Sequence, residues 1–158
     1  MLPKNVMLVL NNTSSPSRVM DFIKIGSTMG VKEIVYTKIY GAAAQTGIPD
    51  AFKYAYKNGL SLLVMPTLED FVETVKPSLT ILFTGTGQEL GEILGKHNTS
   101  ESSTALVFDG SDAGFDPLEK KLGVQTYLKD VPGKLPVVAE VSLSLYILGK
   151  NGENYIED

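Results

Sequence analysis

Apolar residues in this chain fall into short runs that are separated by polar, Gly-rich or Pro-rich segments. Short continuous or alternating apolar runs predict β-strands, whereas apolar residues three or four positions apart predict helices. The predicted strands cover residues 6–10, 33–39, 60–65, 79–83, 105–108 and 124–128. The predicted helices cover residues 19–29, 50–57, 67–75, 89–96, 117–122 and 137–148, with Asp50 and Thr67 as helix caps.

The alternation of strands and helices predicts an α/β fold with a mostly parallel sheet and helices on both faces. A length of 158 residues fits one domain, which we assign to residues 1–150, followed by a loose acidic tail at 151–158. Ligands of such sheets bind where the strands end. The segments that follow the strands are Gly-, Ser- or Pro-rich at residues 11–18, 84–87, 109–114 and 129–135.

Composition narrows the range of partners. The formal net charge of −4 does not predict a broad basic surface for binding a polyanion. The absence of cysteine excludes disulfides and thiolate metal ligands. No apolar run is long enough to span a membrane and no secretory signal is evident, so we expect a cytoplasmic protein without a membrane partner. Arg18 is the one arginine among 14 basic residues, and therefore the one candidate for a guanidinium grip on phosphate or carboxylate.

Several common chemistries find no support in the sequence. One histidine, no cysteine and no closely spaced set of carboxylates argue against a metal site. Segment 84–87 lacks the lysine of a phosphate-binding loop, and no glycine pattern for a dinucleotide follows the first strand. Asp109, Asp112 and Asp116 gather in one loop, where they either accept hydrogen bonds from a ligand or form a solvated turn.

Four segments carry a resemblance to a known enzyme family. They are Ser-Pro-Ser-Arg at 15–18, the Thr-Gly-Thr-Gly turn at 84–87, the Phe-Asp-Gly-Ser-Asp-Ala-Gly stretch at 108–114, and the Val-Pro loop that leads from 131 into the last helix. In order and spacing they resemble the motifs of the SPOUT (α/β-knot) RNA methyltransferases, in particular the SpoU-like branch. The resemblance covers nearly the whole chain.

The resemblance implies a C-terminal trefoil knot whose loops hold S-adenosylmethionine through backbone groups. Small residues and fixed turns matter more in such loops than particular side chains. Carried over to this sequence, the resemblance implies cofactor contacts from Thr84, Gly85, Thr86, Asp109, Gly110, Gly114, Val131, Gly133 and Val138.

The same resemblance implies catalytic roles for Arg18, Lys24 and Glu140. Arg18 would orient a phosphate or ribose, Glu140 would act as a base or hydroxyl partner, and Lys24 stands where the family has an arginine. Lys24 and Lys134 would also attract the RNA backbone. The implied partners are a transfer or ribosomal RNA and a second copy of the chain, packed through the first and last helices.

Three functions stay open from the sequence. The leading hypothesis is an S-adenosylmethionine-dependent RNA methyltransferase acting at a ribose 2′-hydroxyl. The second is a protein of the same fold that binds cofactor or a partner without methyl transfer, which the altered motif positions Lys24, Ser111 and Glu140 favour. The third is an unrelated α/β nucleotide-binding or hydrolase domain whose loops are turns.

Overall fold

A six-stranded sheet forms the centre of the protein. The computed structural model describes residues 2, 5–97 and 102–157, with side chains described up to residue 150. Every strand pair in the sheet is parallel, and the strand order is β3-β2-β1-β5-β4-β6. The strands are β1 Val6–Thr13, β2 Glu33–Ile39, β3 Ser61–Met65, β4 Leu79–Glu89, β5 Thr104–Asp109 and β6 Val124–Tyr127.

Helices cover both faces of the sheet, which confirms the predicted fold class. The helices are α1 Pro16–Thr28, α2 Ile48–Asn58, α3 Leu68–Val75, α4 Leu90–Lys96 and α5 Val137–Glu157, with a π-helical turn at Ala43–Gly47 and a 3-10 turn at Glu119–Leu122. Alternate residues of each central strand enter two separate cores: Leu8 and Leu10 of β1 pack under α1, α2, α4 and α5, whereas Met7 and Val9 pack under α3. Parallel strands covered on both faces need continuous apolar runs, and the central strands have them.

Aromatic packing ties β4 and β5 together. The rings of Phe83 on β4 and Phe108 on β5 stack at 4.2 Å between centroids with 12° between their planes. Phe22 of α1 meets Phe108 edge-on at 6.3 Å. Because all three rings are buried, this cluster fixes α1 over β4 and β5.

The structure corrects several predicted helix boundaries. Helix α1 begins at Pro16 because the Ser15 hydroxyl accepts a hydrogen bond from the Arg18 amide at 3.2 Å, so Arg18 lies in the first helical turn and not in the preceding loop. Helix α2 begins at Ile48, which places Asp50 inside the first turn instead of at the cap. The Thr67 cap is confirmed, since its hydroxyl accepts from the Asp70 amide at 3.0 Å.

The last helix departs most from the sequence-based expectation. Helix α5 continues to Glu157 and so includes residues 151–157, which the sequence analysis assigned to a loose tail. Its buried side chains, Val141, Leu145 and Leu148, follow helical spacing and bring α5 back from the edge strand β6 to α1, α4 and β5. The assignment of residues 1–150 to one domain and the knot implied by the family resemblance stay predictions. In the described part of the chain, no helix is both long and apolar enough to cross a membrane.

Strand β4 contains a bulge at residues 84–87, which the sequence analysis predicts as a turn that follows the strand. Phe83 and Gln88 both pair with Thr126 of β6, so residues 84–87 project out of the ladder between them. Gly85 and Gly87 have φ angles of +84° and +95°, a region that side-chain-bearing residues rarely adopt. A Cβ atom on Gly87 would also meet the backbone of Gln125, whereas a Cβ on Gly85 would meet nothing within 4 Å.

These two glycines provide a matched pair for a stability test. Gly85→Ala should cost about 1–2 kcal/mol of unfolding free energy, since alanine is strained at positive φ. Gly87→Ala should cost about 1–3 kcal/mol more, because its methyl group must also displace the Gln125 backbone. Urea denaturation of both variants measures the difference. Equal losses would show that the close approach of β4 to β6 does not constrain position 87.

Candidate cofactor and catalytic site

A large cavity opens beside the bulge of β4 and the ends of β5 and β6. Its volume is about 1100 Å³, which is large enough for a nucleotide-sized ligand. Its walls come from the first turns of α1 and α5 and from three loops, namely the β4 bulge, the segment after β5 and the segment between β6 and α5. The parallel sheet therefore gathers at one edge the loops that are distant in sequence.

The loop after β5 is closed by its own aspartate. The Asp109 Oδ1 atom accepts hydrogen bonds from the Ser111 amide at 3.0 Å and the Ser111 hydroxyl at 2.8 Å, and Oδ2 accepts from the Gly114 amide at 2.9 Å. Gly114 takes a φ of +84° at the end of this turn. Of the two alternatives for the acidic loop, local turn bonding describes Asp109, although the residue still lines the cavity.

Arg18 connects α1 to this loop. Its Nη1 donates to the Gly110 carbonyl oxygen at 2.7 Å, and its Nη2 lies 3.5 Å from Asp112 Oδ1. The Asp112 side chain is 91% exposed, so this ion pair contributes little to stability and can be exchanged for another anion. The Arg18 side chain is itself 37% exposed and lines the cavity. The Gly110 carbonyl thus holds the guanidinium in position, while part of the guanidinium stays accessible to a ligand.

Gly110 has a supporting role in this arrangement. A Cβ atom there would lie 2.9 Å from the Asn12 carbonyl oxygen and 3.0 Å from the Thr13 Cβ, so only glycine lets the loop approach the end of β1 this closely. Its carbonyl holds Arg18, but Gly110 does not itself line the cavity.

A buried polar network anchors the other end of the β5 loop. The Asn11 Nδ2 donates to Glu119 Oε2 at 2.8 Å, and the Thr37 hydroxyl donates to Asn11 Oδ1 at 2.7 Å. Asp116 and Glu119 each accept a hydrogen bond from the other's backbone amide, at 2.7 and 2.9 Å, as in a capping box. The network fixes the 3-10 turn, and with it the segment that carries Phe115 into the cavity wall, to the ends of β1 and β2.

Glu140 lies in the first turn of α5 and faces the cavity. Burial raises the pKa of its carboxyl group from 4.5 to about 7, the nearby Lys134 ammonium opposes that rise, and the Asp109 carboxylate adds to it. A carboxyl group with a pKa near neutrality can exchange a proton with a ligand at physiological pH.

The cavity gathers most of the residues proposed from the sequence. Two predicted catalytic residues, Arg18 and Glu140, line it, whereas Lys24 is exposed on α1 outside the lining. Thr86 also lies outside the lining, where its hydroxyl contacts Gln125 Oε1 at 3.3 Å. The predicted cofactor residues that line the cavity are Thr84, Gly85, Asp109, Gly114, Val131, Gly133 and Val138.

Sequence reasoning missed part of the wall. Phe83 reaches the cavity from β4 just before its bulge, Tyr127 reaches it from the end of β6, and Asp21 reaches it from the turn of α1 after Arg18. A signal existed for Asp21, because side chains three apart lie on one helix face. Phe83 and Tyr127 could be found only once the strand order was known, since that order sets which strand ends are neighbours.

The pKa of Glu140 makes stability depend on pH. Its native pKa of about 7 exceeds the ordinary value of 4.5, so the unfolded chain loses this proton first. The associated stability is therefore complete below pH 4.5 and lost as the pH rises through 7. Because Glu140 is only half-buried, solvent screening reduces the effect to roughly 1 kcal/mol.

We expect Glu140→Gln to exceed the wild type in unfolding free energy by roughly that amount at pH 8 and to match it below pH 4.5. Glu92→Gln, on the exposed face of α4, is the control and should show no such trend. Urea titrations at several pH values make the comparison. A pH-independent difference for Glu140→Gln would contradict the raised pKa.

Comparison with known sequences gives the family. A sequence model of the family described as "RecB-family nuclease (DUF2122)" matches residues 41–147. The chain belongs to this family. Two relatives match along nearly their whole length. "Putative type II restriction enzyme ApeKORF2002P" of Aeropyrum pernix is 36% identical over 96% of this chain and 97% of its own, and "Putative type II restriction enzyme MjaORF1200P" of Methanocaldococcus jannaschii is 30% identical over 93% and 98%.

Comparison with solved structures gives a different class of protein, the methyltransferases. The "Probable Methyltransferase from Bordetella pertussis Tohama I" superposes with a TM-score of 0.74 at 20% identity, over 92% of each chain. The SpoU methyltransferase AviRb of Streptomyces viridochromogenes, solved with AdoMet, superposes at 0.71 and 11% identity over 96% of this chain and 59% of its own. The Haemophilus influenzae "probable methylase family protein" superposes at 0.70 and 21% identity, and this chain spans 66% of it. The fold is therefore that of the SPOUT methyltransferases.

The family description and the fold point to different chemistries. Metal-dependent nucleases assemble carboxylates around divalent ions. Within the described residues of this family member, no group of three or more His, Asp or Glu side chains is placed to hold a metal ion.

Proposed function

We propose that the protein binds S-adenosylmethionine in the cavity and transfers its methyl group to RNA, at a ribose 2′-hydroxyl. The observation that carries the proposal is the convergence of Arg18 and Glu140 on a cavity that the three expected cofactor loops build. The methyltransferase fold supports the same conclusion. The oriented guanidinium and the near-neutral carboxyl group are the groups that such a reaction requires.

The residues of the cavity suit an adenosyl ligand. The backbone is open to a ligand at Gly85 and Gly133, where added Cβ atoms would meet nothing within 4 Å. Val131, Leu135 and Val138 supply apolar surface, while exposed polar groups are spread along the loops. S-adenosylmethionine, when bound there, supplies an electrophilic methyl group.

The two catalytic candidates then take distinct tasks. Arg18, aimed by the Gly110 carbonyl, exchanges the exposed Asp112 carboxylate for an RNA phosphate and so orients the ribose. Glu140 in its ionised form accepts the proton of the attacking hydroxyl, and its pKa of about 7 suits a general base at neutral pH. Lys134, next to Glu140, adds positive charge for the RNA backbone.

We also propose that the protein forms a homodimer and that its C-terminal segment is knotted. A homodimer through α1 and α5 is supported by the exposed apolar side chains Val138, Leu143 and Tyr146 on α5. The C-terminal knot is supported by the return of α5 from edge strand β6 to α1 and β5. A cofactor-binding protein without methyl transfer, and a nuclease as the relatives' names suggest, are alternatives that the experiments below distinguish.

Cofactor binding is tested with two tryptophan substitutions at glycines that have equally open surroundings. Gly133 lines the cavity, and Gly95 is an exposed residue of α4. At either glycine an added Cβ atom would meet nothing within 4 Å. Gly133→Trp should weaken S-adenosylmethionine binding at least about tenfold, because the indole fills ligand space, and Gly95→Trp should leave it unchanged. Calorimetric titration measures both. No heat with wild-type protein would refute the proposed cofactor.

Methyl transfer is tested by incubating the protein with labelled S-adenosylmethionine and a mixture of transfer and ribosomal RNA. Arg18→Ala should lower labelling of the RNA about 10²-fold, because the substrate loses its orienting group. Arg18→Lys should retain only part of the wild-type labelling, because lysine lacks the planar, bidentate guanidinium. Lys53→Ala on the exposed face of α2 is the control.

The same preparation, supplied with Mg²⁺ and duplex DNA, is assayed for strand cleavage. Labelled RNA without cleavage agrees with the proposal. Cofactor binding without labelling would indicate the non-catalytic alternative, and DNA cleavage that Arg18→Ala abolishes would place nuclease chemistry at this cavity.

A further inference from the structure

We propose that Asp109 and Glu140 form an acidic pair that makes the cavity select a positively charged ligand centre, the sulfonium of S-adenosylmethionine, over the neutral thioether of its demethylated product. The inference rests on the proposed function, since it takes the adenosyl ligand as given. It adds a specificity determinant that also governs product release.

The two carboxylates are the acidic groups of the cavity that are partly shielded from water. The other titratable groups facing Glu140 across the cavity are Arg18 and Asp21 on α1, Asp112 after β5, Lys120 on the 3-10 turn, Tyr127 on β6 and Lys134 before α5. Asp21, Asp112, Lys120 and Lys134 are exposed, so water and salt weaken their fields. Asp109 and Glu140 are only half-exposed.

The cationic group with comparable shielding, Arg18, is held by protein groups, although part of its guanidinium stays accessible to a ligand. Arg18 directs Nη1 to the Gly110 carbonyl oxygen at 2.7 Å and Nη2 toward Asp112 at 3.5 Å. Asp109 has both oxygens held by three hydrogen bonds from N–H and O–H donors, so its carboxyl group has a fixed position in the cavity wall. A positive ligand centre near this pair gains attraction that a neutral one lacks.

The two carboxyl groups also interact with each other. The Asp109 charge contributes to the raised pKa of Glu140. Glu140 is therefore protonated in about half of the molecules near pH 7. A cation placed beside the pair replaces that proton. Binding of a charged ligand at pH 7 should therefore release about half a proton, and binding of a neutral ligand should release none.

The experiment is a set of calorimetric titrations of the full chain with three ligands. They are S-adenosylmethionine, S-adenosylhomocysteine and an analogue in which a protonated amine replaces the sulfonium. At pH 8 the wild type should bind both cationic ligands at least about tenfold more tightly than the thioether. At pH 6, where Glu140 is mostly protonated, the preference should shrink, because the attraction is lost with the charge.

Glu140→Gln keeps the size of the side chain and removes the charge. It should reduce the preference at pH 8 to about threefold or less, chiefly by weakening the cationic ligands, while the thioether affinity stays within about twofold. Glu92→Gln on α4 is the matched control outside the cavity and should behave as the wild type. Titrations in buffers of different ionisation enthalpy measure the released proton.

The outcomes separate this inference from the proposed function. Equal affinity of the wild type for sulfonium and thioether at pH 8 overturns the inference and leaves cofactor binding intact. A preference that persists in Glu140→Gln overturns the role of Glu140. Failure of all three ligands to bind overturns the proposed cofactor and this inference with it.

Discussion

The parallel direction of every strand is the constraint on which the rest of the structure depends. It sends each strand end to the same edge of the sheet, and the order β1-β5-β4-β6 makes neighbours of segments that are far apart in sequence. Arg18 can reach the Gly110 carbonyl only because β1 and β5 are paired in register up to Asn11 and Asp109. The cavity is therefore a consequence of topology, and local loop sequences only refine its walls.

The closure of the loop after β5 is the second requirement, and polar side chains meet it together with Phe115, which is buried in the core under α3. Asp109 closes its own turn, the Asn11–Glu119 hydrogen bond fixes the segment after it, and Arg18 spans the gap to α1. Each bond satisfies a group that would otherwise be costly at a strand end. The loop after β5 is thereby preorganised, which lets its backbone be displayed to a ligand without a large ordering cost.

The fold was largely predictable from the sequence because apolar spacing is a local property, and β2 agrees residue for residue with the predicted strand. Boundaries set by single hydrogen bonds were harder: the Ser15 cap moved Arg18 into α1, and the pairing of Gln88 with Thr126 extended β4 through its bulge. Lys24 and Thr86 occupy family motif positions in the sequence yet lie outside the cavity lining, since helix phase and strand register decide which side chains reach it. The family name, in turn, could not be derived from any of these features, because function lies in the site and not in the fold.

The two roles proposed for Glu140 are electrostatically compatible. As a carboxylate, Glu140 attracts a sulfonium and is ready to accept a hydroxyl proton. When it accepts that proton it loses its negative charge in the same reaction in which the ligand loses its positive charge, so the net charge of the cavity does not change. A charge-balanced reaction avoids the cost of leaving an uncompensated ion in a partly buried site. A glutamate with a pKa of about 7 at the start of α5 is thus suited to the proposed methyl transfer.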